Sequence, residues 1–136
     1  MSATSHANTR YGIAKSVPLP YEEAVERTRA ALQKEGFGVL TEIDVKATLR
    51  KKLDVDFRKY VILGACNPSL AYQGFQAELD IGLLLPCNVI VYEEEPTRSR
   101  VAILDPVVQL SITGRKDIEP LAHEAKQRLE RALAAI

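Results

Sequence analysis

The stretch KYVILGACNPSLAYQGFQAEL, residues 59–79, holds the clearest structural signals of the chain. Up to residue 66 it is apolar nearly throughout, which is typical of a strand buried on both faces. Asn67 can then cap a helix whose first position is Pro68. We therefore predict that a buried strand passes directly into a helix at this point.

Further strands and helices are predicted on both sides of this stretch. Upstream, residues 18–36 carry an apolar stripe with helical spacing and end at Gly36, a good left-handed stop. Downstream, residues 117–136 carry a continuous apolar stripe that we expect to lie on a sheet. Residues 107–116 are expected to form an irregular link. The predicted strands are residues 10–17, 37–44, 59–66, 82–92 and 100–105, and the predicted short helices are residues 45–54 and 68–79.

Length and composition are those of one globular domain. The chain has 136 residues, of which 46% are hydrophobic, and this is enough to form a core without disulfides. Residues 1–9 are small and polar, and we predict that they form a mobile tail. Residues 10–136 are then expected to form a single domain.

Charge and hydropathy narrow the choice of partners. The chain has 18 Lys and Arg residues and 18 Asp and Glu residues, so its formal net charge is zero. Because nucleic-acid-binding proteins usually carry a basic excess, we expect no nucleic-acid partner. We find neither a signal peptide nor the roughly 20 apolar residues of a membrane span. We therefore expect no membrane partner and a cytoplasmic location, where thiols stay mostly reduced.

The two cysteines lie in similar short segments, ACNP at residues 65–68 and PCNV at residues 86–89. Cys66 is predicted at a strand-to-helix corner, where helix-terminal amides can lower the pKa of a thiol or bind an anion. The competing interpretation is a small buried apolar residue, which is the more common role of a free cysteine. Asn67 is explained by helix capping. Asn88 is harder to explain, because asparagine is uncommon inside strands. Within the strand predicted over 82–92, we expect side chains to alternate, with Asn88, Ile90 and Tyr92 on one face and Cys87, Val89 and Val91 on the other.

Familiar catalytic and metal-binding motifs are absent from the sequence. There is no C-x-x-C pair, no glycine-rich phosphate loop, no G-x-S-x-G and no H-E-x-x-H. Two Cys and two His residues do not favour a four-ligand zinc site. We interpret His123 as a residue on a helix face rather than a catalytic base. We therefore predict no catalytic residue, no metal and no cofactor, and we leave enzymatic activity open.

Two blocks of sequence resemble a known family. LGACNP at residues 63–68 and GLLLPCNVIVYE at residues 82–93 are similar to the bacterial and archaeal family called domain of unknown function 302. The resemblance extends over roughly residues 10–136. It implies a two-layer α+β fold with the order β-α-β4-α, a mainly antiparallel sheet with helices on one face, like that of the TATA-box-binding protein. The two short helices would be additions to it, and the resemblance also implies a homodimer.

The leading functional hypothesis is a non-enzymatic module that binds a small anionic or polar ligand and acts as a homodimer. Backbone amides at residues 67–70 would form an anion subsite. One alternative is a thiol-based redox or soft-metal-binding protein, and another is a structural dimer subunit without a ligand. These site hypotheses require positions 66 and 87 to lie side by side. The predicted ligand contacts are Gly64, Cys66, Asn67, Cys87, Asn88 and Tyr92.

Overall fold

Five strands form one fully antiparallel sheet in the computed structural model, which describes residues 8–136. The order across the sheet is β1-β5-β4-β3-β2, so β1 and β2 are the edges. This arrangement confirms the predicted α+β fold. The strands are β1 (Gly12–Val17), β2 (Gly38–Asp44), β3 (Tyr60–Cys66), β4 (Cys87–Glu95) and β5 (Arg98–Leu104).

Helices cover one face of the sheet. The α-helices are α1 (Tyr21–Lys34), α2 (Val45–Leu53), α3 (Pro68–Ala77), α4 (Pro106–Ser111) and α5 (Glu119–Ala134). Helices α1 and α5 contact each other and pack across the strands, while α3 and α4 pack against α5. Helix α2 follows β2 directly and contacts mainly β2 and β3. Among residues 8–136, no helical layer covers the opposite face of the sheet.

The alternation of side chains along the central strands sorts them between these two faces. Val89 pairs with Leu63, and both are fully buried beneath the helices. Burying a side chain of this size stabilises the fold by about 1.5–3 kcal/mol. The alternate residues Ile90 and Tyr92 lie on the other face and are only half-buried. The predicted division of β4 into an inner and an outer face is therefore correct.

The predicted helix boundaries near Gly36 and Asn67 are confirmed. Gly36, two residues after the end of α1, has a φ of 83°, a left-handed conformation that glycine adopts without steric cost. Asn67 precedes α3, and its side chain accepts a hydrogen bond from the backbone N–H of Leu70 at 3.1 Å. Both local signals lie within a few residues of the structure that they specify.

Two predictions about local structure are wrong. The strand predicted over 82–92 begins only at Cys87, because Leu79–Leu84 forms a 3₁₀ helix instead. The link predicted over 107–116 contains most of α4, whose start is capped by Asp105 accepting from the N–H of Val107 at 2.9 Å. In both places a short helix takes the place of an extended or irregular segment.

Of the predicted tail, residues 1–9, the first seven lie outside the described residues. The two remaining positions contact β1. The side chain of Asn8 accepts a hydrogen bond from the N–H of Ala14 at 2.8 Å, and Thr9 forms a bridge with Gly12. Asn8 and Thr9 are therefore held against the sheet.

Candidate functional site

Two hollows, one on each side of the sheet, divide most of the predicted site residues between them. The first, which we call the cysteine cavity, lies between the sheet and helices α3 and α5. Its wall includes Cys66, Asn67 and Cys87. The second, which we call the tyrosine groove, lies on the face without helices, and it is lined by Asn88 and Tyr92 together with Tyr11, Arg58, Tyr60 and Arg100.

The cysteine cavity is small and mostly apolar. Cys87 pairs across the sheet with Ala65, so it is one residue removed from Cys66, and both cysteines line the same space. The space measures about 60 Å³, whereas sites for small organic ligands measure about 300–1,000 Å³. It can take water or a diatomic molecule but not a typical metabolite.

Burial makes both thiols weaker acids. Burial raises the pKa of Cys66, contrary to the lowering that its place before α3 suggests. Burial, assisted by the charge of Asp105, raises the pKa of Cys87 from its ordinary value of 9.0 to about 12. The Cys87 thiol donates a hydrogen bond to the carbonyl of Leu104 at 3.4 Å. Because the nucleophile and metal ligand is the thiolate, these shifts oppose both roles.

The start of α3 offers little for an anion. The amide of Leu70 is occupied by the Asn67 side chain, and Ala71 donates to the carbonyl of Asn67 at 2.9 Å. Pro68 has no N–H to offer. Asn67 itself is buried. Its role is therefore accounted for by helix capping.

Gly64 is a packing residue at a crowded point of the sheet. A Cβ atom placed on it would lie 2.2 Å from Oγ1 of Thr41 and 2.8 Å from Cγ of Pro86. Such distances are far inside van der Waals contact. The absence of a side chain at position 64 therefore allows Thr41 and Pro86 to approach the backbone of β3.

The tyrosine groove is large and has an aromatic wall. It has a volume of about 810 Å³ and is open to solvent. The Tyr60 and Tyr92 rings face each other from paired positions of β3 and β4, with centroids 5.2 Å apart and planes at 6°. Phe57 lies against Tyr60 at 6.1 Å and 42°. Together these rings form a rigid, amphipathic surface.

Positive charge accompanies these rings. The Arg58 guanidinium lies 5.9 Å from the centroid of the Tyr92 ring and donates to the carbonyl of Glu93 at 3.2 Å. Arg100 is the partner of Tyr92 in the register of β4 and β5, so the two side chains share a face. The groove wall also includes the carboxylate of Glu94, which accepts hydrogen bonds from Ser16 at 2.6 Å and from Arg98 at 3.2 Å.

Burial, assisted by the neighbouring Tyr92 and Tyr11, raises the pKa of Tyr60. A protonated tyrosine hydroxyl can both donate and accept a hydrogen bond, and the raised pKa favours this form.

The segment before β3 is fixed from two sides. The Lys46 ammonium donates to the carboxylate of Asp56 at 2.9 Å and to the carbonyl of Phe57 at 2.7 Å. The amide of Glu93 donates to the carbonyl of Lys59 at 3.0 Å. These bonds hold Phe57 and its neighbour Arg58 beside the stacked tyrosines.

The groove brings together residues that the sequence analysis did not combine. Asn88 and Tyr92 were predicted to share a face of β4, but Tyr60 and Arg100 were not linked to them. Their connection depends on the strand register, which pairs residues 60, 92 and 100 in one row across three strands. The tyrosines themselves were the available signal, since aromatic side chains on an exposed strand face are enriched at binding surfaces.

Fold and hollows together define a single-layer antiparallel sheet with helices on one face and an aromatic groove on the other. The chain belongs to the family described as Domain of unknown function DUF302, whose profile matches residues 13–136. Among solved structures it is similar to the crystal structure of an uncharacterized conserved DUF302 protein from Bacillus stearothermophilus. The TM-score is 0.84 at 28% identity, over 93% of this chain and 98% of the other. A search among curated proteins gave no match.

The described residues contain neither a membrane-spanning helix nor a cluster of metal ligands. Over residues 8–136, no helix has both the length and the apolar character needed to cross a membrane. Within the same range, no group of three or more His, Cys, Asp or Glu side chains is arranged to hold a metal ion.

Proposed function

We propose that this protein is a non-enzymatic module that binds a small ligand in the tyrosine groove. The observation that carries the proposal is the size and wall of that groove. Its volume of about 810 Å³ lies within the range of small-molecule sites. Asn88 and Tyr92, two of the predicted contacts, line it, and Asn88 is exposed there.

The cysteine cavity is less suitable than the tyrosine groove as a ligand site. Its volume of about 60 Å³ is several-fold too small for an organic ligand. Cys66, Asn67 and Cys87 then serve the fold, and the ligand contacts are those on the opposite face. In the expected cytoplasmic setting the two thiols would stay reduced.

A screen by thermal shift tests the proposal. A library of small organic anions and polar compounds is applied to the wild type, to an Asn88→Ala, Tyr92→Ala double variant, and to Tyr72→Ala as a matched control. Tyr72 is a tyrosine on α3 with 65% exposure, and it does not line the groove. A ligand should raise the melting temperature of the wild type and the control but not of the double variant. Equal shifts in all three would overturn the proposal.

We propose that the protein assembles as a homodimer. The proposal is supported by an exposed apolar ridge, which we define by Leu79, Leu83, Val108 and Ile112. The ridge runs along the 3₁₀ helix and α4, and Leu83 and Ile112 within it are 88% and 74% exposed. Patches of this kind usually mark an interaction surface. A hollow of about 400 Å³ beside the ridge shares Tyr11, Asn88 and Leu104 with the tyrosine groove. A second copy placed on the ridge would therefore close one end of the groove.

Sedimentation velocity tests the assembly. The wild type should sediment as a dimer at micromolar concentration, and Leu83→Asp should sediment as a monomer. Leu40→Asp is the matched control, because Leu40 is also an exposed leucine but lies on β2. A monomeric wild type, or a monomer produced only by the control, would rule out the ridge. A dimer for which the screen finds no ligand would favour the structural-subunit alternative.

The thiol alternative is supported by one observation, the common cavity of Cys66 and Cys87. It is opposed by the raised pKa of both thiols. Titrating the two thiols by their ultraviolet absorbance separates the cases. An apparent pKa for Cys66 below the ordinary value of 9.0 would favour redox or soft-metal chemistry over ligand binding in the tyrosine groove.

A further inference from the structure

We propose that the end of α2 and the segment after it form a docking surface for an acidic segment of another protein. We call this surface the basic patch and define it by Arg50, Lys51, Lys52, Leu53 and Val55. None of these five residues lines the tyrosine groove, so the patch is separate from the proposed ligand site. Its charge, its exposed apolar side chains and its fixed conformation together point to such a partner.

Positive charge is concentrated in this part of the chain. Residues 45–59 contain six Lys and Arg residues and two Asp residues, a local formal charge of +4 in a chain whose net charge is zero. Three of the six basic residues are paired with carboxylates, namely Lys46, Arg50 and Lys59. Lys51 and Lys52 are exposed, and neither forms an ion pair with any residue of 8–136. These two ammonium groups are therefore available to the carboxylates of a partner.

Apolar side chains are exposed beside these two lysines. Val45 and Leu49 of α2 are half-buried, whereas Leu53, the next residue of the same stripe, is 65% exposed. Val55 follows it and is 43% exposed. Exposed apolar side chains rimmed by charged residues are typical of an interaction surface. The basic patch therefore offers a partner both charge and apolar contact.

The basic patch is held in one conformation. Asp54 ends α2 in a left-handed conformation with a φ of 54°, and its N–H donates to the carbonyl of Arg50 at 3.0 Å. The Lys46 ammonium then holds the following residues by donating to the carboxylate of Asp56 and to the carbonyl of Phe57. A surface that is ordered before binding loses little conformational entropy when the partner arrives.

The arrangement favours an acidic protein segment over a lipid or nucleic-acid surface. The side chains of Asp54 and Asp56 are both 88% exposed, and these residues alternate with Leu53 and Val55 along the chain. An anionic membrane or a phosphate backbone would repel these carboxylates where the apolar contact has to form. A peptide can leave them at the solvated rim of the interface and place its own carboxylates on the lysines. We therefore expect an acidic segment with at least one large apolar side chain.

Selection from a phage-displayed library of random dodecapeptides on the wild type tests this inference. The enriched peptides should combine an excess of Asp and Glu with at least one Leu, Ile or Phe residue. Fluorescence anisotropy then measures their affinity. A Lys51→Gln, Lys52→Gln double variant should bind them roughly threefold to tenfold more weakly, as expected for the loss of two exposed ion pairs. Leu53→Ser should also weaken binding, because it removes the apolar contact.

The matched controls change the same residue types at other places on the surface. A Lys34→Gln, Lys116→Gln double variant also removes two exposed lysines, and Leu40→Ser changes an exposed leucine on β2. Both controls should bind the peptides like the wild type. Failure to enrich acidic peptides would overturn the inference, and so would equal losses of affinity in the patch and control variants.

Two further probes are tested in parallel, phosphatidylserine vesicles and a labelled DNA duplex. Neither should bind the wild type through the basic patch. Binding of either probe that is lost in the Lys51→Gln, Lys52→Gln variant, with no acidic peptide enriched, would overturn the protein partner in favour of a phosphate-bearing surface.

Discussion

The rings of Tyr60 and Tyr92 lie 5.2 Å apart and almost parallel, on directly paired positions of neighbouring strands. Cross-strand aromatic pairs contribute about 0.5–1.5 kcal/mol beyond the area that they bury. We expect Tyr92→Ala to lower the free energy of unfolding by about 1 kcal/mol. Tyr92→Phe keeps the ring, so its free energy of unfolding should lie within about 0.5 kcal/mol of that of the wild type. Urea unfolding of both variants checks this.

The coupling between the two rings can be isolated. In a double-mutant cycle, Tyr60→Ala and Tyr92→Ala are made singly and together. The loss in the free energy of unfolding for the double variant should be about 0.5–1.5 kcal/mol smaller than the sum of the two single losses. Additive losses would show that the rings contribute through burial alone.

The same substitution should destabilise the protein at Asn67 but have little effect on stability at Asn88. Asn67→Ala removes the side-chain acceptor for the Leu70 amide and should destabilise the protein by about 1 kcal/mol. Asn88 is exposed in the groove, so Asn88→Ala should change stability by less than about 0.5 kcal/mol. Guanidinium unfolding measures both. A large loss in Asn88→Ala would instead assign that residue to the fold.

Gly64→Ala should destabilise the protein by roughly 1–3 kcal/mol, because overpacking forces side chains and backbone apart. The added Cβ would meet Oγ1 of Thr41 at 2.2 Å and Cγ of Pro86 at 2.8 Å. Thermal unfolding followed by circular dichroism measures the loss. In a Thr41→Ala background the loss should be smaller, since one of the two obstacles is gone. An unchanged loss in that background would make Pro86 the decisive contact.

Gly74→Ala should stabilise the protein, in contrast to Gly64→Ala. Gly74 lies within α3, where alanine is favoured by up to about 1 kcal/mol. The added Cβ would lie 3.3 Å from Cδ1 of Ile81, which is tight, but Ile81 also borders the cysteine cavity and can shift into it. We expect a net gain of about 0.5 kcal/mol in urea unfolding. A loss would mean that Ile81 is held in place, and Ile81→Val should then restore the gain.

Alkaline pH should destabilise the protein through Cys87. Its pKa is raised in the folded state from 9.0 to about 12. Below pH 9 the thiol is protonated in both the folded and the unfolded state, and its contribution to the free energy of unfolding is fully present. Above that pH the unfolded thiol ionises first, so the free energy of unfolding falls, by at most about 1.4 kcal/mol per pH unit from this group.

The variant Cys87→Ala isolates this contribution. Urea unfolding between pH 8 and pH 10.5 should show a shallower decline for the variant than for the wild type. Cys66→Ala serves as the control, because Cys66 is only half-buried and should contribute a smaller slope. Identical slopes in the wild type and Cys87→Ala would contradict the raised pKa.

Local signals explain which parts of the fold could be predicted. Gly36 and Asn67 act within one helical turn, and the alternation along β4 follows from its own residues, so these features were correct. The start of α4 carries the same kind of signal, since Asp105 followed by Pro106 repeats the pattern of Asn67 and Pro68. It was missed because only six residues follow before the helix ends, among them the β-branched pair Val107 and Val108.

The candidate site was less accessible from sequence because it depends on pairing between distant strands. Cys66 and Cys87 were expected at one hollow and do line one, but the sequence did not indicate that it is small. Tyr60, Tyr92 and Arg100 meet only because β3, β4 and β5 pair in one register. A shift of one residue would move every side chain of a strand to the other face. Such a row therefore becomes visible only once the register is known.

One irregularity of the sheet has a consequence for solubility. The pairing of β2 with β3 shifts between Val39 and Thr41, so this edge strand carries a bulge, and Glu42 and Asp44 follow it. Bulges and charges at an edge hinder the addition of a further strand from another molecule. The outer margin of β2 is thereby a poor template for open-ended polymerisation, even though Leu40 projects from it into solvent.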